Sequence, residues 1–226
     1  MTTETPDWLA PLSRWESWTI AAGNLLPLLG IFYLGWDAST LIILYWLETA
    51  IVGLWLVVRL AFARPDMLPP VTPLIGGKPT EGSGLGLGLF VLVHAGFFMG
   101  IHMFMLSGIA PGDWTRHLAS PSAFILGFVV PSAMWIPLAG LFAARGVMTL
   151  HEIRAARPAT HLVAGFYARI LVMQFVILLG GMAALLAGSP VILLALIVAF
   201  KTAFEIYWES FGPWLEAAFS SRSTRG

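Results

Sequence analysis

Four ionisable side chains, Glu48, Arg169, Lys201 and Glu205, lie within stretches that are otherwise apolar. Two are acidic and two basic, so they can compensate one another. Insertion scales charge about 2.5–3.5 kcal/mol for an ion at the centre of a membrane helix, so four unpaired ions would cost about 10–14 kcal/mol. That is comparable to the whole stability of a folded domain. Pairing is the physical remedy. At a rise of about 1.5 Å per residue, Glu48 and Lys201 reach similar depth near the midplane, with Arg169 and Glu205 about one turn nearer the cytoplasm. The expected pairs are therefore Glu48 with Lys201 and Arg169 with Glu205. Lys201 and Glu205 are four apart on one helix face, so a single ladder of all four is the alternative. Asn24, Gln174, Tyr45, His94 and His102 are the polar residues that could extend it.

His94 and His102 are the weak candidates for a metal. Eight positions apart, they are rotated by about 80° and separated by about 12 Å along the axis, so one ion cannot bind both side by side. Such a site would need Glu48 or Glu205 from other helices, or Met99, Met103 or Met105 for Cu(I). The plainer reading is one histidine hydrogen-bonded in the core, one near the outer interface, and methionines that pack. There is no cysteine, which removes disulfides, thiolate metal sites and thiol nucleophiles together. No GxSxG elbow occurs, the adjacent His151 and Glu152 lack the HExxH spacing, and GGKPT at Gly76 to Thr80 lacks the Walker spacing. Ser107 and Ser132 suit helix contacts better than catalysis. No cofactor is expected, and an enzyme is the less favoured class.

These residues must be positioned by membrane helices. Of 226 residues, 58% are hydrophobic and 11% charged, with a mean hydropathy of +0.83. Soluble domains carry about a quarter charged residues, so this surface must face lipid. Apolar runs long enough to span, about 20 residues each, predict six transmembrane helices at about 17–36, 40–63, 84–107, 122–144, 162–187 and 190–209. The polar first dozen residues, with Glu4, Pro6 and Asp7, lack a signal peptide's basic start and cleavage site, and predict a water-exposed tail. Prolines and glycines make 64–83 the longest loop. Gly84 with Gly88, and Gly96 with Gly100, have the spacing that lets helices approach closely. Pro131 and Pro137 are expected to bend the fourth helix, a charged connector to follow from Arg145 to His161, and Gly188 to Pro190 to form a tight turn.

The fold class expected is an all-α polytopic bundle, residues 1–226 forming one integral membrane domain. With the amino terminus cytoplasmic, nine basic residues (Arg14, Arg59, Arg64, Lys78, Arg145, Arg154, Arg157, Arg222 and Arg225) fall inside and Arg116 outside, which orients both termini to the cytoplasm. Arg59 is expected to snorkel to that interface. The placement expected is a bacterial inner membrane. Lipid is the first partner, with a homo-oligomer or partner helices as a second; twelve basic and twelve acidic residues cancel, leaving no field for nucleic acid.

The order of several short motifs resembles a family of multi-pass bacterial and archaeal membrane proteins known only as a domain of unknown function. The motifs are NLLPLLG at Asn24 to Gly30, LYWLE at Leu44 to Glu48 followed by Gly53, the His94 to His102 stretch, LGG at Leu179 to Gly181, GSP at Gly188 to Pro190, and KT at Lys201 to Thr202. Where the family often has an amide after the LYWLE glutamate, this chain has Thr49. The resemblance implies the multi-pass fold and singles out Glu48 and Lys201; it implies no reaction. From the residues, the leading expectation is passage of a proton, ion or small polar solute past the buried charges. A bracing role in a structural or assembly subunit is the second, and a membrane metalloenzyme using the histidines the third.

Overall fold

A computed structural model describes residues 15–68, 83–155 and 160–223, except the side chains at 16, 160–161 and 208–223. The expected tail of residues 1–12, the Gly76 to Thr80 turn, and Arg14, Lys78, Arg157 and Arg225 lie outside the described residues, as does the Arg222 side chain. Among the described residues all regular structure is helical: α1 Trp15–Leu25, α2 Leu29–Leu34, α3 Ala38–Ala61, α4 Gly84–Ile109, α5 Pro121–Phe124, α6 Trp135–Arg154, α7 Thr160–Ala187 and α8 Pro190–Ser223.

Five stretches are long and apolar enough to cross a membrane: Ser17–Leu34, Ala38–Ala61, Gly84–Ile109, Leu162–Ala187 and Pro190–Tyr207. Their outer faces carry exposed Phe32, Phe97, Phe104, Phe175 and Leu186, a surface suited to acyl chains. The first stretch is not one straight helix. Pro27 cannot donate a backbone hydrogen bond, and the chain tightens into a short 3-10 turn, Leu26–Leu28, between α1 and α2. Asp37 caps α3 by accepting from the Thr40 amide at 2.7 Å, and Ser83 caps α4 from Gly86 at 3.3 Å. Gly188, at φ +65°, turns α7 into α8, with Pro190 as the first residue of the new helix.

The expected fourth span, 122–144, is not one continuous helix. It is divided into α5, a π-helical turn at Ile125–Val129, an irregular corner, and α6. Pro131 removes a donor just after the π turn, and Ala133 follows at a positive φ of 59°. Pro137 bends nothing, because it falls in the first turn of α6, where backbone amides have no intrahelical acceptor in any case. α6 then continues to Arg154 through most of the expected charged connector, and α8 continues past 209. Loss of hydropathy marks where lipid contact ends; it does not end a helix.

Packing fixes the helix directions. Gly84 approaches the Leu60 carbonyl so closely that a Cβ there would lie 2.3 Å from it, and Gly88 faces Val57. At the other end of the pair, Trp46 donates from Nε1 to the Met99 carbonyl at 3.1 Å, so α3 and α4 run antiparallel. α6 runs parallel to α3, since Gly146 packs on Trp55 and Glu152 meets Arg59. α7 is antiparallel to α3 and α8 antiparallel to α7. The principal core joins Leu41 and Ile42 of α3, Leu106 of α4, Ile177 of α7, and Leu193 and Ile197 of α8.

Candidate functional site

Glu48 sits near the middle of α3, Arg169 in the first third of α7, and Lys201 and Glu205 one turn apart on α8. The antiparallel packing brings the four together as one cluster rather than two separate pairs. Arg169 Nη2 lies 3.3 Å from Glu48 Oε1 and 2.8 Å from Glu205 Oε1. Lys201 Nζ lies 3.1 Å from Glu48 Oε1 and 3.4 Å from Glu205 Oε1. Each cation is thus shared between both carboxylates. The Arg169 and Lys201 side chains are 10% and 6% exposed, so neither can rely on solvent for compensation.

Asn24 completes the group from α1. Its Nδ2 donates to Glu205 Oε2 at 2.9 Å, and its Oδ1 accepts from Lys201 Nζ. The Asn24 carbonyl accepts the Tyr45 hydroxyl at 2.5 Å. Three residues before Pro27, that carbonyl stands where the helix tightens, so the proline and the tyrosine act on the same backbone segment. The Tyr45 ring also lies 5.5 Å from Lys201 Nζ, within cation–π range.

Two residues expected in the cluster are elsewhere. Gln174 lies at the middle of α7, beyond Arg169, where its Oε1 accepts from His102 Nε2 at 2.5 Å. Because a neutral amide and a neutral imidazole satisfy each other, neither needs the charges. His94 is exposed on α4 among Phe90, Phe98 and Tyr167, its Nδ1 3.1 Å from the Tyr167 hydroxyl. His94 and His102 therefore address different partners. Among the described residues no three His, Asp or Glu side chains gather to hold a metal ion.

A cavity of about 550 Å³ approaches the cluster from the end where α3 and α6 carry Arg59 and Glu152. Arg169 and Glu205 line it; Glu48 and Lys201 do not. Arg145, Trp55, Thr149, Phe166 and Phe204 form other parts of its wall. On the His102 side the adjoining void is about 10 Å³, barely the space of one water, and its lining is mostly Ile, Met and Leu. The larger cavity thus reaches the cluster from one end, and the packing beside His102 toward the other is tight. Arg145 and Glu152, which the sequence assigns to a solvated connector, belong to this vestibule because α6 continues through them. The signal that could have found them is their seven-residue spacing, which returns to nearly the same helix face.

The fold and site are those of a membrane protein, an all-helical chain with several apolar helices around a compact set of buried charges. The chain belongs to a family of unknown function, DUF6498, whose model matches residues 8–223. No curated protein and no solved structure matches it.

Proposed function

We propose that the protein conducts or transports a proton, ion or small polar solute, with Glu48, Arg169, Lys201, Glu205 and Asn24 as the polar station on its route. The carrying observation is the vestibule that ends at Arg169 and Glu205. Intramembrane ionisable groups that meet a cavity characteristically mark such pathways. In this reading the chain forms one domain that crosses a bacterial inner membrane six times, with both termini cytoplasmic. The direction of α6, parallel to α3, is the one a crossing between α4 and α7 requires. The positive-inside rule then puts Arg59, Arg64, Arg145 and Arg154 at the cytoplasmic face, and the vestibule opens there. Passage requires the tightly packed His102 side to open. Neutralising one carboxylate supplies the trigger, since it removes one of the two anions that hold Arg169 and Lys201 in place.

Reconstitution into liposomes with an internal pH dye and an ion panel tests this. The native chain should dissipate an imposed gradient faster than empty vesicles, and Glu48→Gln should change that rate. Equal traces for the native chain, the variant and empty liposomes would overturn it.

A second reading is favoured by the pairing itself. Because each cation has two carboxylates within 3.4 Å, the cluster is also suited to locking helix register in a structural or assembly subunit. Charge-balanced removal of one pair would then leave partner capture intact, whereas conduction would be lost.

A further inference from the structure

His102 is 2% exposed, and its Nε2 meets Gln174 Oε1 at 2.5 Å. An amide oxygen accepts and cannot donate, and Gln174 Nε2 is turned toward Met105 Sδ at 3.8 Å. In the neutral ring Nε2 therefore carries the proton, and Nδ1 presents a lone pair. That lone pair has no hydrogen-bond partner among the described residues. His102 lines the void of about 10 Å³, and Thr49 lines it too. The Thr49 hydroxyl donates to the Tyr45 carbonyl at 3.1 Å and keeps its own lone pairs for another donor. A void of this size admits about one water, which needs two or more polar partners. Thr49 and His102 supply them.

The void borders the charged cluster. Thr49 follows Glu48 on α3, Ile170 follows Arg169 on α7, and Ile197 stands one turn before Lys201 on α8; all three line the void. No charged side chain lines it, Glu205 is a further turn along α8, and α4 carries no charged residue. We infer that the species conducted is a proton, and that His102 carries it on the tightly packed side after receiving it through one water in this void. The inference rests on the conduction reading above and names its substrate. A proton that reaches Glu48 can sit on Oε2, because the ion-pair contacts to Arg169 and Lys201 run through Oε1. The carboxyl O–H bond then breaks toward the water as the water gives a proton to Nδ1, leaving a carboxylate and an imidazolium. Release from Nε2 requires the bond to Gln174 to break, which is the opening the route needs on this side. Carboxylate and histidine chains are the usual proton carriers inside membranes. A metal cation must exchange its hydration shell for several protein oxygens. Here the side chains of the void wall offer one hydroxyl among Ile, Met and Leu.

The full chain in liposomes tests this, with proton flux read by an internal pH dye and Na⁺ and K⁺ flux by indicator dyes in parallel vesicles. The native chain should pass protons, with Na⁺ and K⁺ traces equal to those of empty vesicles. Thr49→Val removes the water's hydroxyl partner and leaves the His102–Gln174 bond in place. His102→Gln keeps a donor for Gln174 and removes the titrating ring. Each should slow proton flux about tenfold or more while unfolding near the native midpoint. Na⁺ or K⁺ flux through the native chain would overturn the proton assignment and leave conduction standing, and this arm needs no variant. Native proton flux in a folded Thr49→Val or His102→Gln chain would overturn the path through the void. A native chain that passes nothing would remove the conduction reading, and this inference with it.

Discussion

At the charged cluster, two cations each stand within 3.4 Å of two carboxylates, and a cavity of about 550 Å³ reaches the group. At His102, a neutral ring meets a neutral amide at 2.5 Å, and the adjoining void is about 10 Å³. Both regions bury polar atoms within the bundle, and α7 contributes to each. The difference follows from charge. A neutral donor and acceptor are satisfied by one good hydrogen bond and can then be closed in by hydrocarbon. Full charges lose far more on leaving water, so they assemble into a multiply bonded group, and here a cavity adjoins it. Access at one end and dense packing at the other is the asymmetry on which the proposed route rests.

The strongest way to break this comparison is to unbalance the cluster. Lys201→Met leaves Glu48 and Glu205 sharing Arg169 alone, and should cost about 3–5 kcal/mol, the usual penalty for stranding a buried charge. Adding Glu48→Gln restores the balance and should recover much of that loss. Unfolding in detergent, read as a double-mutant cycle, checks the coupling. Additive losses would mean that the two side chains do not interact, and the contrast with His102 would lose its basis.

The neutral site should respond on a smaller scale. His102→Leu leaves Gln174 Oε1 without its donor and should cost about 1–3 kcal/mol, while His102→Leu with Gln174→Leu should come nearer to the native value. In the proposed route this side must open, so both changes should alter flux in the liposome assay beyond what stability alone explains. A His102 variant that stays folded with native flux would remove this side from the proposed route.

The two glycine pairs on α4 allow a similar contrast. Gly84 and Gly88 lie against α3, whereas a Cβ at Gly96 or Gly100 would meet nothing within 4 Å. Gly84→Ala should therefore cost about 1–3 kcal/mol by forcing α3 and α4 apart, read as a lowered unfolding midpoint. Gly100→Ala should be neutral or slightly stabilising, by up to about 1 kcal/mol from helix propensity. Both pairs have the same spacing in the chain, and only the packed bundle distinguishes them.

That limit recurs across the molecule. Long apolar runs dictate helices on energetic grounds, so the stretches at Ala38–Ala61, Gly84–Ile109 and Leu162–Ala187 begin and end within about two residues of where hydropathy puts them. Compensation of charge is nearly as compelling, which makes a meeting of Glu48, Arg169, Lys201 and Glu205 a physical expectation from sequence. The fourth span was not legible, because hydropathy reports where lipid can lie and is blind to a corner made by Pro131 and Ala133. Gln174 and His94 lie apart from the cluster for another reason. A neutral polar side chain can be satisfied by many partners, so the face it occupies is set by packing alone. Arg145 was hidden by the end of the apolar run, although the helix carrying it continues.

The smallest expected effect lies at the start of α3, opposite the vestibule, where Asp37 holds a carboxylate with neutral donors only. Burial pushes its pKa up, but hydrogen bonds from the Thr40 amide and side chain and from Ser39 more than offset this, leaving it below the ordinary value of 3.8. A depressed folded-state pKa contributes stability above the unfolded value that is lost as pH falls through the folded one. The contribution should thus be complete above about pH 3.8 and fade in more acidic solution. Asp37→Ala removes the cap at neutral pH at a cost of about 1 kcal/mol, whereas Asp37→Asn keeps a capping oxygen and drops the titration. Unfolding midpoints should therefore place Asn close to Asp at neutral pH, and the gap between native and Ala should narrow on acidification. If Asn proves as costly as Ala, the carboxylate's charge rather than its hydrogen bonds holds this end of α3, and the distinction between a charged end and a neutral end no longer stands.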